Sequence, residues 1–133
     1  MLAINENKFN TLCTVLKYVY GLVPILIGVD KFFFYIVDWN IYVSPLVGIY
    51  APAIIASHVA HIVGVVEIAA GCIILSQWTR FGAYLVAAWI GVVIVNLFTI
   101  GGMYDIILRD VAIAVGYATF GMLIELKETA QQQ

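Results

Sequence analysis

Residues 81 to 100 read FGAYLVAAWIGVVIVNLFTI, a run of twenty residues without a single charged side chain. An α-helix of this length rises about 30 Å, which matches the hydrocarbon core of a bilayer. Such a run leaves the helix no polar face to turn toward water, so it predicts a membrane-spanning helix. Its one notable polar group is the amide of Asn96, about one turn from the end.

The composition of the whole chain extends this prediction beyond one helix. Of the 133 residues, 64% are hydrophobic and 11% are charged, and the mean hydropathy is +1.04. Soluble domains carry about 25% charged residues, so this chain lacks the polar surface needed to stay in water. The length allows one domain, and the net charge of −2 provides no basic surface for nucleic acid. We therefore expect an integral membrane protein whose main surroundings are lipid.

Three further stretches are long and apolar enough to cross a bilayer. They cover approximately residues 11–35, 52–75 and 104–126. With residues 81–100 they predict an all-α, four-helix membrane bundle. We expect this single domain to occupy residues 1–126 and a short, solvated polar tail to occupy residues 127–133.

The connections differ in length and in chemistry. The pair Gly101–Gly102 forms a short turn between the last two spans. The stretch DWNIYVSPLVGIYAP, between the first two spans, contains Pro45 and Pro52, which interrupt a continuous helix. Because this stretch is apolar and aromatic, we expect it to lie partly in the membrane interface.

Basic residues indicate the orientation. With four spans, both chain ends share a side with the turn near Trp78, and the two sides differ in Lys and Arg content. One side carries Lys8, Lys17, Arg80 and Lys127, and the other carries Lys31 and Arg109. Short cytoplasmic segments are enriched in Lys and Arg, so we expect both termini in the cytoplasm.

Polar side chains from all four spans fall in the same leaflet, the outer one. Charges at membrane depth are costly unless they face one another or a water-filled cavity. We therefore predict a polar chamber in the outer half of the bundle as a candidate ligand site. The alternative is a network that only holds the helices in register. The chamber comprises Asp30, Lys31, His58, His61, Asn96, Asp105, Arg109 and Asp110.

The spacing of these charges predicts particular ion pairs. Asp105 and Arg109 are four residues apart and share a helix face, so they can pair locally. Asp110 points elsewhere, and Lys31 is the cation available to it. With Asp30 included, three carboxylates share two cations. The remaining negative charge requires a proton, a bound cation or water.

Glu67 lies deeper than the chamber, just past the middle of the second span. A lone carboxyl at this depth is expected to be protonated and hydrogen-bonded. It either links helices or contacts a proton or the headgroup of a quinone.

His58 and His61 raise the question of a metal or haem. They are three residues apart, so they could share one metal but could not be the opposite axial ligands of one haem. No third histidine is present, so a metal would need carboxylates from neighbouring helices. We predict no metal site and expect both rings to be hydrogen-bonded in the chamber.

Several small residues are expected to pack helices closely together. Gly64, Gly71 and Gly82 are such positions, because small residues let helix backbones approach one another in a membrane. Cys13 and Cys72 are likewise expected to be small packing residues rather than redox-active thiols.

Five stretches of the chain resemble the DoxX-like family of small four-span bacterial membrane proteins. The similarity covers roughly residues 20 to 125, and the last stretch is the most specific. They read GVDKFF, EIAAG, RFGAY, AAWIGVVIVNL and GGMYDIILRDVAIAVG. By this resemblance, seven residues occupy motif positions, whereas His58 and His61 match none. These seven are Asp30, Lys31, Glu67, Asn96, Asp105, Arg109 and Asp110.

The resemblance implies a location and a class of function. The family is named for a membrane subunit of a thiosulfate:quinone oxidoreductase, although thiosulfate chemistry itself does not carry over to this chain. We expect a protein of the bacterial inner membrane that serves as a subunit or accessory protein of a quinone-linked redox complex, with other membrane subunits as partners. Two alternatives are a carrier or channel for a small solute or proton, and a purely structural assembly subunit. Whether the chain is itself an enzyme stays open.

Overall fold

In the computed structural model, which describes residues 5–132, all regular secondary structure is helical. Three of the helices, α1, α5 and α6, are long and apolar enough to cross a membrane, whereas α4 is apolar but has only 17 residues. The all-α prediction is therefore confirmed for this part of the chain. The elements are α1 (Glu6–Phe33), a 3-10 turn η1 (Trp39–Tyr42), α2 (Pro45–Tyr50), α3 (Ala53–Ala56), α4 (Val59–Leu75), α5 (Thr79–Ile100) and α6 (Tyr104–Gln131).

The prediction of one continuous helix over residues 52–75 was wrong, because the chain breaks between α3 and α4. At the break, the backbone N–H of His58 donates to Ile55 O instead of continuing the regular pattern to Ile54 O. The Ile54 carbonyl is taken by side chains: Ser57 Oγ donates to it at 3.0 Å, and His58 Nδ1 lies 2.9 Å from it. Side chains that bond a nearby carbonyl compete with helix propagation, which explains the break.

The ends of the predicted domain also need correction. The tail expected at residues 127–133 belongs to α6 as far as Gln131, so it is an extension of the last helix. Residues 1–4, assigned to the domain, and residue 133, assigned to the tail, lie outside the described residues.

Helix α1 packs along α4 in an antiparallel arrangement with almost no side chain between the two backbones. A Cβ atom placed on Gly28 would lie 2.6 Å from Gly64 O, and one placed on Gly71 would lie 2.5 Å from Gly21 O. The two contacts are two helical turns apart. Since any larger residue would collide with backbone, this pattern fixes both the distance and the register of the helices. The predicted packing roles of Gly64 and Gly71 are confirmed.

The other two long helices, α5 and α6, complete the bundle. Helix α5 packs mainly against α6 and also against α4, which joins the two helix pairs. Gly82 lies against the backbone of Ile74 as predicted, since a Cβ atom placed on Gly82 would lie 2.8 Å from the Ile74 nitrogen. Cys13 is buried in the core, whereas Cys72 is exposed, so the packing role predicted for Cys72 was wrong. The buried core comprises Cys13, Ala70, Ile74, Ala83, Val86, Tyr117, Phe120 and Ile124.

A proline inside α1 is compensated by a side chain from α6. Pro24 has no N–H and so leaves the carbonyl of Tyr20, four residues earlier, without its helical donor. The hydroxyl of Tyr117 donates to Tyr20 O at 3.0 Å. The rings of Tyr20 and Tyr117 also make an edge contact at 4.5 Å between centroids. In a membrane a freed carbonyl must find a partner within the protein, so this bond couples α6 to the irregular point in α1.

This coupling predicts a specific pattern of stability. Tyr117→Phe should lower the free energy of unfolding in detergent by about 0.5–2 kcal/mol, the usual range for a hydrogen bond between membrane helices. In a Pro24→Ala background the restored N–H can bond Tyr20 O, and the cost of Tyr117→Phe should shrink toward zero. Denaturant titration of the four proteins measures this. An equal cost of Tyr117→Phe in both backgrounds would show that the Tyr117 hydroxyl does not replace the missing donor to the Tyr20 carbonyl.

Candidate functional site

A buried ion pair joins the last turn of α1 to the middle of α4. Lys31 Nζ lies 2.6 Å from Glu67 Oε2, and the two side chains are only 6% and 15% exposed. The close contact of Gly28 with Gly64 brings these residues within reach of each other. Glu67 is therefore hydrogen-bonded, as expected, but its partner is the Lys31 ammonium, so the expectation of a lone carboxyl was wrong. Lys31 was expected to pair with Asp110, which it does not.

The ammonium of Lys31 has a second partner in the segment that follows α1. Its Nζ lies 3.7 Å from the centroid of the Trp39 ring, which is a close cation–π contact. Such contacts are worth about 2 kcal/mol when the cation is desolvated. Lys31 thus has a carboxylate and an aromatic face as partners, which offsets the cost of burying its charge.

Asp30 holds the chain in the turn that puts Trp39 in this position. A carboxylate in the last turn of a helix is unfavourable with respect to the helix dipole. Here Asp30 Oδ1 accepts from the backbone N–H groups of Tyr35 and Ile36, both at 3.0 Å, and Oδ2 accepts from Trp39 Nε1 at 2.7 Å. Phe34 ends the helix in the left-handed conformation, with φ 56°. Three N–H donors therefore offset the unfavourable position of Asp30 at the helix end, and these hydrogen bonds fix the shape of the loop. We call Asp30, Lys31, Trp39 and Glu67 the Lys31 cluster.

Asn96 anchors the far end of the same loop to α5. Its Nδ2 donates to Tyr42 O at 2.7 Å, and its Oδ1 accepts from Ser44 N at 3.2 Å. Thr99 Oγ1 lies 2.7 Å from Ser44 Oγ. Asn96, a residue of the predicted chamber, is therefore bonded to the loop backbone. These bonds hold η1, which contains Trp39, in place.

The two histidines lie at the beginning of α4 and differ in surroundings. His58 is exposed, and its Nδ1 is engaged with Ser57 and Ile54. The His61 ring makes edge contacts with Phe32 and Phe34, at 5.3 and 5.7 Å between centroids. Its Nδ1 is buried and has no hydrogen-bond partner among the described residues, so the expected hydrogen bond of His61 is missing at that atom.

The α6 residues are arranged differently from the prediction. Arg109 bonds its neighbour Asp110, with Nε and Nη2 at 3.2 and 3.1 Å from Oδ1, instead of pairing with Asp105. Asp110 is buried and Asp105 is exposed. A buried carboxylate gains more from a cation than an exposed one does, which explains the preference. The Arg109 side chain itself is 65% exposed.

These contacts divide the predicted chamber into separate units. The Lys31 cluster connects through η1 to Asn96, and the rings beside His61 belong to the same end of α1. Within residues 5–132 no hydrogen bond or ion pair joins the Arg109–Asp110 pair to this unit. The expected pool of three carboxylates around two cations is therefore replaced by local solutions. Asp30 is stabilised by N–H donors, and each of the two pairs, Lys31–Glu67 and Arg109–Asp110, joins one cation to one carboxylate.

Trp39 and Ser44 are the site residues that sequence reasoning missed. Trp39 belongs to the aromatic stretch that the sequence assigns to the membrane interface, and nothing in its spacing from Asp30 points to a hydrogen bond. Ser44 does carry a signal: a serine followed by Pro45 is typical of a helix N-cap and first turn, and Ser44 Oγ accepts from Leu46 N at 3.2 Å.

The Lys31 cluster combines N–H donors with an aromatic ring, which are the groups that suit a flat, polar molecule. Lys31 Nζ has three N–H donors, and one of them is directed at Glu67. His61 Nδ1 adds a buried ring nitrogen near the same helix end. No family model, curated protein or solved structure matches the chain.

The buried pair predicts a distinctive double-mutant result. Glu67→Gln leaves an unpaired buried ammonium and should cost about 3–5 kcal/mol of unfolding free energy. The double variant Lys31→Met/Glu67→Leu buries no charge and should recover most of that loss. Arg80→Gln is the matched control, because it breaks the exposed Arg80–Glu128 pair and should cost less than about 1 kcal/mol.

Chemical denaturation in detergent gives these values, with Lys31→Met and Glu67→Leu also measured as single variants. If the double variant were as unstable as the sum of its two single changes, Lys31 and Glu67 would not be coupled.

Proposed function

We propose that this chain is a membrane subunit or accessory protein of a quinone-linked redox complex, of the DoxX-like type, in the bacterial inner membrane. The observation that carries the proposal is the buried Lys31–Glu67 pair with the Trp39 ring against its ammonium. Ionisable groups inside a membrane protein are costly and usually functional. A structural link between two helices could be made by apolar residues at lower cost, so the retained charge favours a ligand.

A quinone headgroup fits the chemistry of this site. It is a flat ring with carbonyl oxygens that accept hydrogen bonds, and it resides in the bilayer. Lys31 supplies N–H donors, Trp39 and Phe34 supply aromatic surface, and His61 supplies a ring nitrogen without a partner in the described residues. Under this proposal a partner protein with its own redox cofactor exchanges electrons with the quinone, and this chain binds and orients the headgroup.

The proposal includes four crossings and cytoplasmic termini. Helix α4 has 17 residues and rises about 25 Å, slightly less than the hydrocarbon core. Two features support a crossing: its antiparallel contact with α1 over two glycine pairs, and the burial of its only charged residue, Glu67, in an ion pair.

Cysteine labelling distinguishes four crossings from three. In a Cys13→Ala/Cys72→Ala background, an impermeant thiol reagent added to intact cells should label Asn40→Cys and leave Gln77→Cys unlabelled. Both side chains are exposed, so accessibility within the fold is matched. Labelling of both sites would mean that α4 does not cross the membrane, and labelling of Gln77→Cys alone would mean that the orientation is reversed.

Purification in a mild detergent tests the proposed function. Mass spectrometry of the native complex should find quinone and a cofactor-bearing membrane protein with the wild-type chain. The Lys31→Met/Glu67→Leu variant should lose the quinone, whereas the surface variant Arg80→Gln should keep it. Quinone retention that does not depend on Lys31 and Glu67 would contradict the assigned site.

A further inference from the structure

A second polar site lies at the other end of the bundle, between the first half of α1, the beginning of α5 and the end of α6. It is a cleft of about 160 Å³, and residues from three helices line it. We call it the Lys17 cleft. The quinone proposal makes no use of it. The lining residues that matter here are Lys17, Lys127, Glu128 and Gln131.

The Lys17 cleft carries an excess of positive charge. Lys17 is fixed there, because its Nζ donates to the carbonyl of Ser76 at 2.7 Å. Lys127 is half-buried and has no side-chain partner within residues 5–132. The carboxylate of Glu128 is paired with Arg80 at 3.3 Å, so its negative charge is offset from outside the cleft. Two ammonium groups from different helices therefore share one small polar space.

The volume of the Lys17 cleft and its depth relative to the membrane indicate what kind of ligand it can hold. At about 30 Å³ per water molecule, 160 Å³ holds roughly five waters, which is enough for a phosphate group but well below the volume of about 300 Å³ typical of larger ligands. Exposed aromatic side chains surround this end of the bundle, namely Tyr18, Trp78 and Phe81. Such rings mark the headgroup level of a membrane, where lipid phosphates lie.

We propose that the Lys17 cleft binds a phosphate group, and that the headgroup of an anionic membrane lipid supplies it. Lys17 and Lys127 contact the phosphate oxygens, and the Gln131 amide at the mouth provides a further donor. The acyl chains then lie along the apolar outer surfaces of α1 and α6. Basic pockets between membrane helices recognise anionic headgroups in this way. The bound lipid would bridge the first and last helices of the chain.

Purified full-length protein in detergent provides the test, with cardiolipin, phosphatidylglycerol, phosphatidylcholine or inorganic phosphate as added ligands. Native mass spectrometry counts bound lipid, and thermal unfolding reports protection. Cardiolipin and phosphatidylglycerol should bind and protect, and phosphatidylcholine should do neither. Lys127→Gln should weaken binding of the anionic lipids about fivefold, because one basic residue contributes about 1 kcal/mol at a lipid surface and 1.4 kcal/mol is tenfold.

The controls separate a built site from general attraction. Lys8→Gln removes the same charge from an exposed position on α1 and should bind lipid like the wild type. Lys127→Arg should keep binding, and Lys17→Gln should lose it even if loss of the Ser76 bond also lowers stability. Equal weakening in Lys8→Gln and Lys127→Gln would overturn the proposal. Protection by inorganic phosphate as strong as that by lipid, with the same dependence on Lys127, would support a phosphate site but overturn the lipid as its source.

Discussion

The close contact between the backbones of α1 and α4 is the constraint on which the polar part of the structure depends. Glycines that face each other at two levels leave no choice of register between these helices. Lys31 follows Gly28 by one turn and Glu67 follows Gly64 by one turn on the antiparallel helix, so the lysine side chain runs past Gly64 to reach the carboxylate. A shift by a single residue would rotate the lysine away and leave two charges buried without partners, so the ion pair and the glycine contacts reinforce one another.

Several of the remaining polar groups are satisfied by partners within the protein, although His61 Nδ1 and Trp89 Nε1 are buried without a partner among residues 5–132. Asp30 accepts hydrogen bonds from N–H groups of the turn that follows it, and Asn96 bonds the backbone of the same loop. The Tyr117 hydroxyl donates to the carbonyl of Tyr20, which lacks a helical donor because of Pro24. A bilayer cannot supply these partners, so the protein must. The outcome is an irregular segment, η1 and its flanks, that is fixed at both ends by side chains from long helices.

The long helices could be predicted from the sequence because long apolar runs rarely form any other structure in a membrane. The break before α4 could not be predicted. It depends on Ser57 and His58 both bonding one backbone carbonyl, and a hydropathy pattern carries no information about such a local contact. The polar residues could be placed by depth along each span from the sequence alone. Their partners could not be predicted, since pairing depends on which helix faces are in contact. Lys31 could have reached Asp110 or Glu67, and only the glycine register decides between them.

The unequal lengths of the helices have a consequence for the surrounding lipid. Helix α4 rises about 25 Å, whereas α1 and α6, with 28 residues each, rise about 42 Å. If α4 crosses the membrane, the hydrophobic mismatch differs around the circumference of the protein. Lipids beside α4 would have to shorten, while those beside α6 could keep their relaxed thickness, at a cost of fractions of a kcal/mol per Å. A thinned patch next to α4 would make the bilayer around the molecule asymmetric, so that one side of the bundle differs from the others within the plane of the membrane.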